Sequence, residues 1–516
     1  MTLGLQTPGR EHAVAPRLVQ AVVDLFDRLH AAGIRYCHWK SNEHLRATMA
    51  GITDIDVLVD RTAAQDLVRL LTDTTFKRFE TIARRSYPAI ESYLGLDPDT
   101  GRLLHLHLHY RLTLGERHLK GYRLPWEETV LATRMWDEAS GVYVTDPHVE
   151  LILLIVRLAM QLRLRDRLFG ALGRPYVPPG ALREFRWLTA RVQRASLSEI
   201  AGTLVGAEAA TLLVAMASDQ EPTARQLHAF GQAIRPSLAT YRTYGAVAAW
   251  WLRGLRRWRV QLAKLERRLG RHVNVRRVVP HGGVLVAFVG SDGSGKSTVA
   301  AEIVRWLSPE LDAVHLYFGN GKGKISLGRR LLEFGASVVH RVTGRRAPSG
   351  EPARLPSFRR AAGKSRIRDW GDLLWVLALA RERRRRFRDA CRARNRGMIV
   401  VCDRFPQAQF PGLNDGPWLG HWLEHPSPLR RAAARRELAA IQLGAIQAPD
   451  LVVKLHVPTP IAQQRRPNVP TEQLARKASE IAALEYRGAG RIVDIDASQP
   501  LNRVLLEVKR ALWTIL

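Results

Sequence analysis

The sequence predicts an α/β protein, with a parallel sheet flanked by helices in its C-terminal half, preceded by a smaller α+β region and a helical middle. Three observations carry this. The run Val284 to Leu307 reads as a strand, a glycine-rich loop and a helix in immediate succession. Short apolar runs then alternate with helical patterns, as in a parallel sheet. Near the N-terminus, Ile52 to Val59 alternates apolar and polar residues at the period of a strand.

A chain of 516 residues predicts about two or three domains. The expected division is 1–143 for the α+β region, 144–281 for the helical middle with a basic linker, and 282–516 for the parallel sheet. The composition, 46% hydrophobic and 25% charged, is that of a globular protein. The charge is unusual: 79 Lys and Arg against 48 Asp and Glu leave +31. Such a surplus points to an anionic partner, whether nucleotide, nucleic acid or acidic membrane face, or else to arginines spread over solvated faces. Nucleic acid is not the favoured partner. Arg381 to Arg388 (RERRRRFR) is the one dense run. Three cysteines without a C-x-x-C pair suit a reducing compartment. The first apolar segment is broken by Asp24, Asp27 and Arg28, unlike a leader peptide. A cytoplasmic protein with peripheral membrane contact as an option is the expectation; the oligomeric state is left open.

In the first region, Pro16 to Ala32 has helical spacing and stops at Gly33, and Ile34 to Trp39 reads as a strand. On the strand Ile52 to Val59, Ile55, Val57 and Val59 share one face, Asp54 and Asp56 the other. Carboxylates at i and i+2 can share a divalent ion, and hard cations such as Mg²⁺ prefer oxygen ligands. The same pair could instead cap a surface turn. In His105 to Leu112 (HLHLHYRL), alternation puts His105, His107 and His109 on one face.

Lys40-Ser41-Asn42, Gly51, the Asp54 to Val59 strand and the histidine strand together resemble the nucleotidyltransferase-fold superfamily. The resemblance covers about the first 145 residues. It implies a D-x-D strand binding metal and a nucleoside triphosphate, with Asp54 and Asp56 as metal ligands. This sequence departs from the pattern twice. The third acidic ligand is not evident, leaving His107 as a substitute, and Lys40-Ser41-Asn42 replaces the usual glycine-serine turn. An active transferase and a degenerate nucleotide-binding head are both open.

The middle reads as helices over Val149 to Leu164, Ala181 to Gln193, Leu197 to Ser218 and Thr223 to Ile234, separated by Pro and Gly clusters. Tyr241 to Leu269 predicts a long helix carrying Trp250, Trp251, Trp258, Leu262 and Leu265 among arginines. It would pack between domains or lie on a membrane surface.

The C-terminal half begins with Gly290 to Thr298 (GSDGSGKST), a G-x-x-x-x-G-K-S loop between strand and helix. Glycines let the backbone amides face inward, and the amides with the helix's positive end make an anion site. Gly290, Ser291, Asp292, Gly293, Ser294, Gly295, Lys296, Ser297 and Thr298 form the loop; Lys296 reaches β- and γ-phosphates and Ser297 holds Mg²⁺. Further strands are expected at Ala313 to Phe318, Gly397 to Cys402, Leu451 to Val457 and Arg491 to Ile495, with a helix over Trp370 to Ala390. Gly319 to Gly323 would be a loop facing the site and Arg341 to Lys364 a mobile insertion.

Four stretches of this half resemble the thymidylate kinase family of P-loop kinases: the loop with its acidic Asp292, Asp403-Arg404-Phe405 at a strand end, Pro449 to Pro458, and Ile495 to Pro500. The resemblance spans most of about 230 residues. It implies an ATP- and Mg²⁺-dependent kinase in which Lys296 serves the phosphates, Asp403 orders the metal and Arg404 contacts an acceptor phosphate. Ala497 would lie on the adenine side. Arg465 and Arg466 would gather transition-state charge from a lid, or else form a solvated helix end. No thymine-recognition set is found, so the acceptor is an open small molecule: nucleotide, nucleoside or sugar. The alternative is a nucleotide-gated switch whose basic surface binds nucleic acid or a membrane-associated assembly.

Overall fold

A computed structural model describes residues 17–83, 85–116, 118–162, 177–319, 366–411, 413 and 416–516. The chain divides into two compact units, Met1–Leu265 and Glu266–Leu516. The insertion expected at Arg341 to Lys364 lies outside the described residues, as does the loop after Gly319.

The first unit contains β1 (Tyr36–His38), β2 (Ile55–Val59), β3 (Lys77–Thr81), β4 (Ile90–Leu96), β5 (Leu103–His109), β6 (Leu112–Leu114), β7 (Tyr122–Leu124), β8 (Met135–Asp137) and β9 (Val142–Val144). Its main sheet runs in the order β3-β4-β5-β2-β1-β9-β8. β2 and β5 are parallel neighbours, with Asp56 opposite His107. One face, with Ile55, Val57, Leu104, Leu106 and Leu108, packs on Val22, Phe26 and Leu29 of helix Gln20–Ala31. The other face meets the helical middle, because Cys37, Trp39 and Leu58 share a core with Ile152, Phe185, Leu213 and Phe230. Sheet and helices therefore share one core within this unit.

Helix Pro147–Gln161 starts at Asp146, whose side chain accepts from the amides of His148 and Val149. The helix expected over Leu197 to Ser218 is instead two, Arg194–Val205 and Ala207–Ala217. Gly206, at φ 90°, turns the chain where a side-chain-bearing residue would be strained. Thr223 closes a capping box with Gln226 at the head of Ala224–Ala233, worth about 1 kcal/mol. Helix Ala246–Arg268 buries only Ala249, Val260 and Ala263. Trp250, Trp251 and Trp258 are 61%, 66% and 60% exposed.

The second unit holds β10 (Arg277–Val278), β11 (Leu285–Gly290), β12 (Ala313–Tyr317), β13 (Ile399–Asp403), β14 (Leu451–His456) and β15 (Arg491–Asp496). Five of these form a sheet in the order β12-β13-β11-β14-β15, parallel throughout. β11 and β13 are buried along their whole length, which explains their unbroken apolar runs. Among the helices that join the strands are Lys296–Leu307, Arg366–Asn395, Pro428–Ile446 and Thr471–Ala482, and Leu501–Ile515 follows the last strand. No described helix is long and apolar enough to cross a membrane.

Candidate functional site

The strand order reverses at β11, whose neighbours are β13 and β14. Ligands of open parallel sheets bind beyond the carboxyl ends of the strands at such a point, and there the glycine loop begins. A Cβ on Gly290 would fall 2.4 Å from Ser294 Oγ and 2.8 Å from the Leu455 carbonyl, so only glycine fits. Gly293 and Gly295 have φ 85° and 81°, and Gly295 leads directly into helix Lys296–Leu307. Ser291 and Ser294 are buried, whereas Ser297 and Thr298 are exposed on the first turn.

Lys296 folds back, its Nζ donating to the Ser291 carbonyl at 3.0 Å. Burial first, and then the charge of Arg404, lower its pKa to about 8. Burial would raise the Asp292 carboxyl, but the Lys477 ammonium 2.5 Å away outweighs it and the pKa falls. Asp403 ends β13, opposite Phe288 of β11 and Tyr317 of β12. It is 2% exposed, and its Oδ1 has no hydrogen-bond partner. Arg404 follows at φ 66°, left-handed without being glycine, with its amide donating to the Phe288 carbonyl at 3.0 Å. Its guanidinium lies 5.8 Å from the Tyr317 ring centre.

Arg465 ends helix Thr459–Arg465 and donates to the carbonyls of Gly293 at 3.1 Å and Ala497 at 3.2 Å. It ties the loop to the turn after β15. Beside the loop, a cleft of about 480 Å³ opens between Ser291, Val457, Pro458, Ile481, Asp496 and Ser498. Lys477, absent from the sequence reading, sits far along the chain on a helix with no motif. The arginine run is not simply solvated: Arg383 is buried, and Arg386 pairs with Glu382 at 2.5 Å and donates to the Gly319 carbonyl at 3.1 Å.

Asp54 and Asp56 form a separate cluster on the first unit. His105 Nδ1 lies 3.1 Å from Asp54 Oδ1, and His107 Nδ1 3.3 Å from Asp56 Oδ1. His109 Nε2 lies 3.5 Å and Lys40 Nζ 2.9 Å from the same Asp56 oxygen. Burial alone would raise Asp56; Lys40, His107 and His109 hold it well below the usual range. Burial drives His109 down to about 4 and, helped by Lys40, brings Lys120 to about 8. The turn carrying Lys40 is gripped from the helices. Ser41, at φ 59°, donates from its amide to Glu184 at 3.2 Å, and Asn42 donates to Glu150 from its amide at 3.0 Å and its Nδ2 at 2.8 Å. Burial raises the Glu150 carboxyl to about 7. Glu150, Glu184 and Lys120 were not foreseen, since each comes from a helix or turn remote from the strand pair.

Fold and loop together define a class: a parallel α/β domain built around a phosphate loop. No family model matches the chain. Two Escherichia coli K12 proteins resemble it. "Uncharacterized ATP-binding protein YghS" is 27% identical over 240 residues, covering 45% of this chain and 93% of that protein. "Uncharacterized ATP-binding protein YghR" is 26% identical over 232 residues, covering 44% and 86%.

Proposed function

We propose that the second unit binds ATP and transfers its terminal phosphoryl group to a small-molecule acceptor, as the resemblance to thymidylate kinase implies. The observation that supports this best is the glycine loop at the sheet's switch point, with Lys296 inside it and Asp403 one strand away. The relatives' names, which state ATP binding, support the nucleotide. Phosphoryl transfer needs positioning and charge stabilisation more than covalent chemistry. Loop amides and Lys296 would hold the β- and γ-phosphates, and Arg404 would meet the acceptor. The cleft bordered by Val457 and Ser498 suits the nucleoside end. Ser297 and Asp403 would hold Mg²⁺, which when bound neutralises developing phosphate charge; the unpartnered buried Oδ1 of Asp403 fits that duty. The first unit, on this reading, is a nucleotidyltransferase-like head.

The test is calorimetry with ATP and Mg²⁺, followed by turnover with nucleotides, nucleosides and sugars as acceptors. Lys296→Ala should keep the fold and lose transfer; unchanged affinity and turnover would refute the proposal. A second reading, peripheral membrane contact, is favoured by one observation. On helix Ala246–Arg268 the exposed Trp250, Trp251, Trp258 and Leu265 stand among Arg253, Arg256, Arg257 and Arg259. Co-sedimentation with anionic vesicles that Trp251→Ser/Trp258→Ser abolishes would sustain it. ATP turnover stimulated only by RNA or DNA, with steep salt dependence, would favour the nucleotide-gated switch instead.

A further inference from the structure

We infer that the Asp/His cluster on β2 and β5 is a binding site for a divalent transition-metal ion of the zinc type, and not the magnesium site that its two carboxylates alone suggest. Two triads that share His107 each keep their own ligand atoms within 4.8 Å of one another: Asp54, His105 and His107, and Asp56, His107 and His109. Parallel pairing of the two strands causes this. Asp56 stands opposite His107, and residues two apart on each strand return to the same face. Three imidazoles and two carboxylates are the wrong set for Mg²⁺, which keeps oxygen ligands and several waters. They are an ordinary set for Zn²⁺, Co²⁺ or Mn²⁺.

The spacing agrees with the donor chemistry. With bonds of about 2.1 Å, the edge of a tetrahedron around zinc is about 3.4 Å. The separations are 3.1 Å for His105 to Asp54, 3.3 Å for His107 to Asp56, 3.5 Å for His109 to Asp56 and 3.9 Å for His107 to Asp54. His109 supplies an independent sign. It is 2% exposed, its Nδ1 has no hydrogen-bond partner and its Nε2 meets only Asp56 Oδ1 at 3.5 Å, a thinly satisfied state for a buried imidazole that ligation would relieve. Lys40 places a positive charge on Asp56 in place of the ion and must swing aside for it. Half-exposed Asp54 provides the route in.

The experiment is titration of chelator-treated, full-length protein with Co²⁺ and Zn²⁺, read by visible absorption and metal analysis. The expected result is one equivalent bound with the strong absorption of a low-coordinate Co²⁺ site, which a hundredfold excess of Mg²⁺ fails to displace. His107→Gln should weaken binding by at least about a hundredfold, and Asp54→Asn, at a half-exposed position that the fold tolerates, by about tenfold. Absence of stoichiometric binding, displacement by equimolar Mg²⁺, or affinity unchanged in both variants would overturn the inference. The proposal goes beyond the phosphotransferase reading and does not depend on it: Lys296→Ala should leave the titration intact, so either can fail alone.

Discussion

The two units hold charge in opposite ways. The phosphate loop is made largely of backbone: Gly290, Gly293 and Gly295 shape a row of amides, and few side chains enter. The Asp/His cluster is made of side chains alone, five donors on two strands steadied by Lys40, Glu150 and Glu184. A site of amides keeps its polarity whatever the pH. A site of imidazoles and carboxylates depends on every neighbour that sets their protonation. The first is written in nine consecutive residues; the second needs the whole unit to assemble it.

The sharpest way to break this comparison is a crossed pair of variants. Lys296→Ala should lower phosphoryl transfer by at least about a hundredfold while Co²⁺ binding stands. His107→Gln should do the reverse, read by turnover and Co²⁺ absorption on each protein. If either variant damages both sites, they are not independent.

A pH series sharpens it next. With Lys296 at about 8 in the free protein, phosphate must be met by an ammonium that is already losing its proton. ATP affinity should fall about fivefold as pH rises from 8 to 9, with proton uptake on binding, measured by calorimetry in buffers of different ionisation enthalpy. Lys296→Arg should remove the dependence, because guanidinium does not titrate there.

A smaller effect belongs to the first unit. Glu150 sits at about 7 when folded against 4.5 when free. Between those values the folded state holds more protons than the unfolded one, so stability falls as pH rises from about 4.5 to about 7. Glu150→Gln should flatten that slope in urea melts at successive pH values. The smallest effect is on Arg404, where Gly should relieve the left-handed backbone. Relief of about 1 kcal/mol should raise the thermal midpoint by about 2–4 °C while transfer declines.

Much of the second unit was legible because its signals are local. The run Leu285–Gly290, its glycines and Lys296 sit in one window, and Asp403 closes a buried strand visible as such. Helix Leu501–Ile515 was readable too, from Val504, Val508 and Leu512 at four-residue spacing, though it was not read. Strand β3 was missed because Lys77–Thr81 carries Lys77, Arg78 and Glu80 with little apolar pattern. In the first unit the alternation of Asp54, Asp56 and the histidines gave the right faces. Nothing in sequence gave their register, which pairs Asp56 with His107 across 51 positions. Lys477 on Asp292 was illegible for the same reason: an ion pair spanning 185 positions leaves no periodic trace.

The residue after Asp403 has one more implication. Its backbone sits where an unbranched, side-chain-free unit would be at ease, yet the chain puts its bulkiest cation there. Thermostability screens of this protein should therefore keep selecting glycine at 404 and, on the phosphotransferase proposal, keep returning robust molecules with weakened transfer.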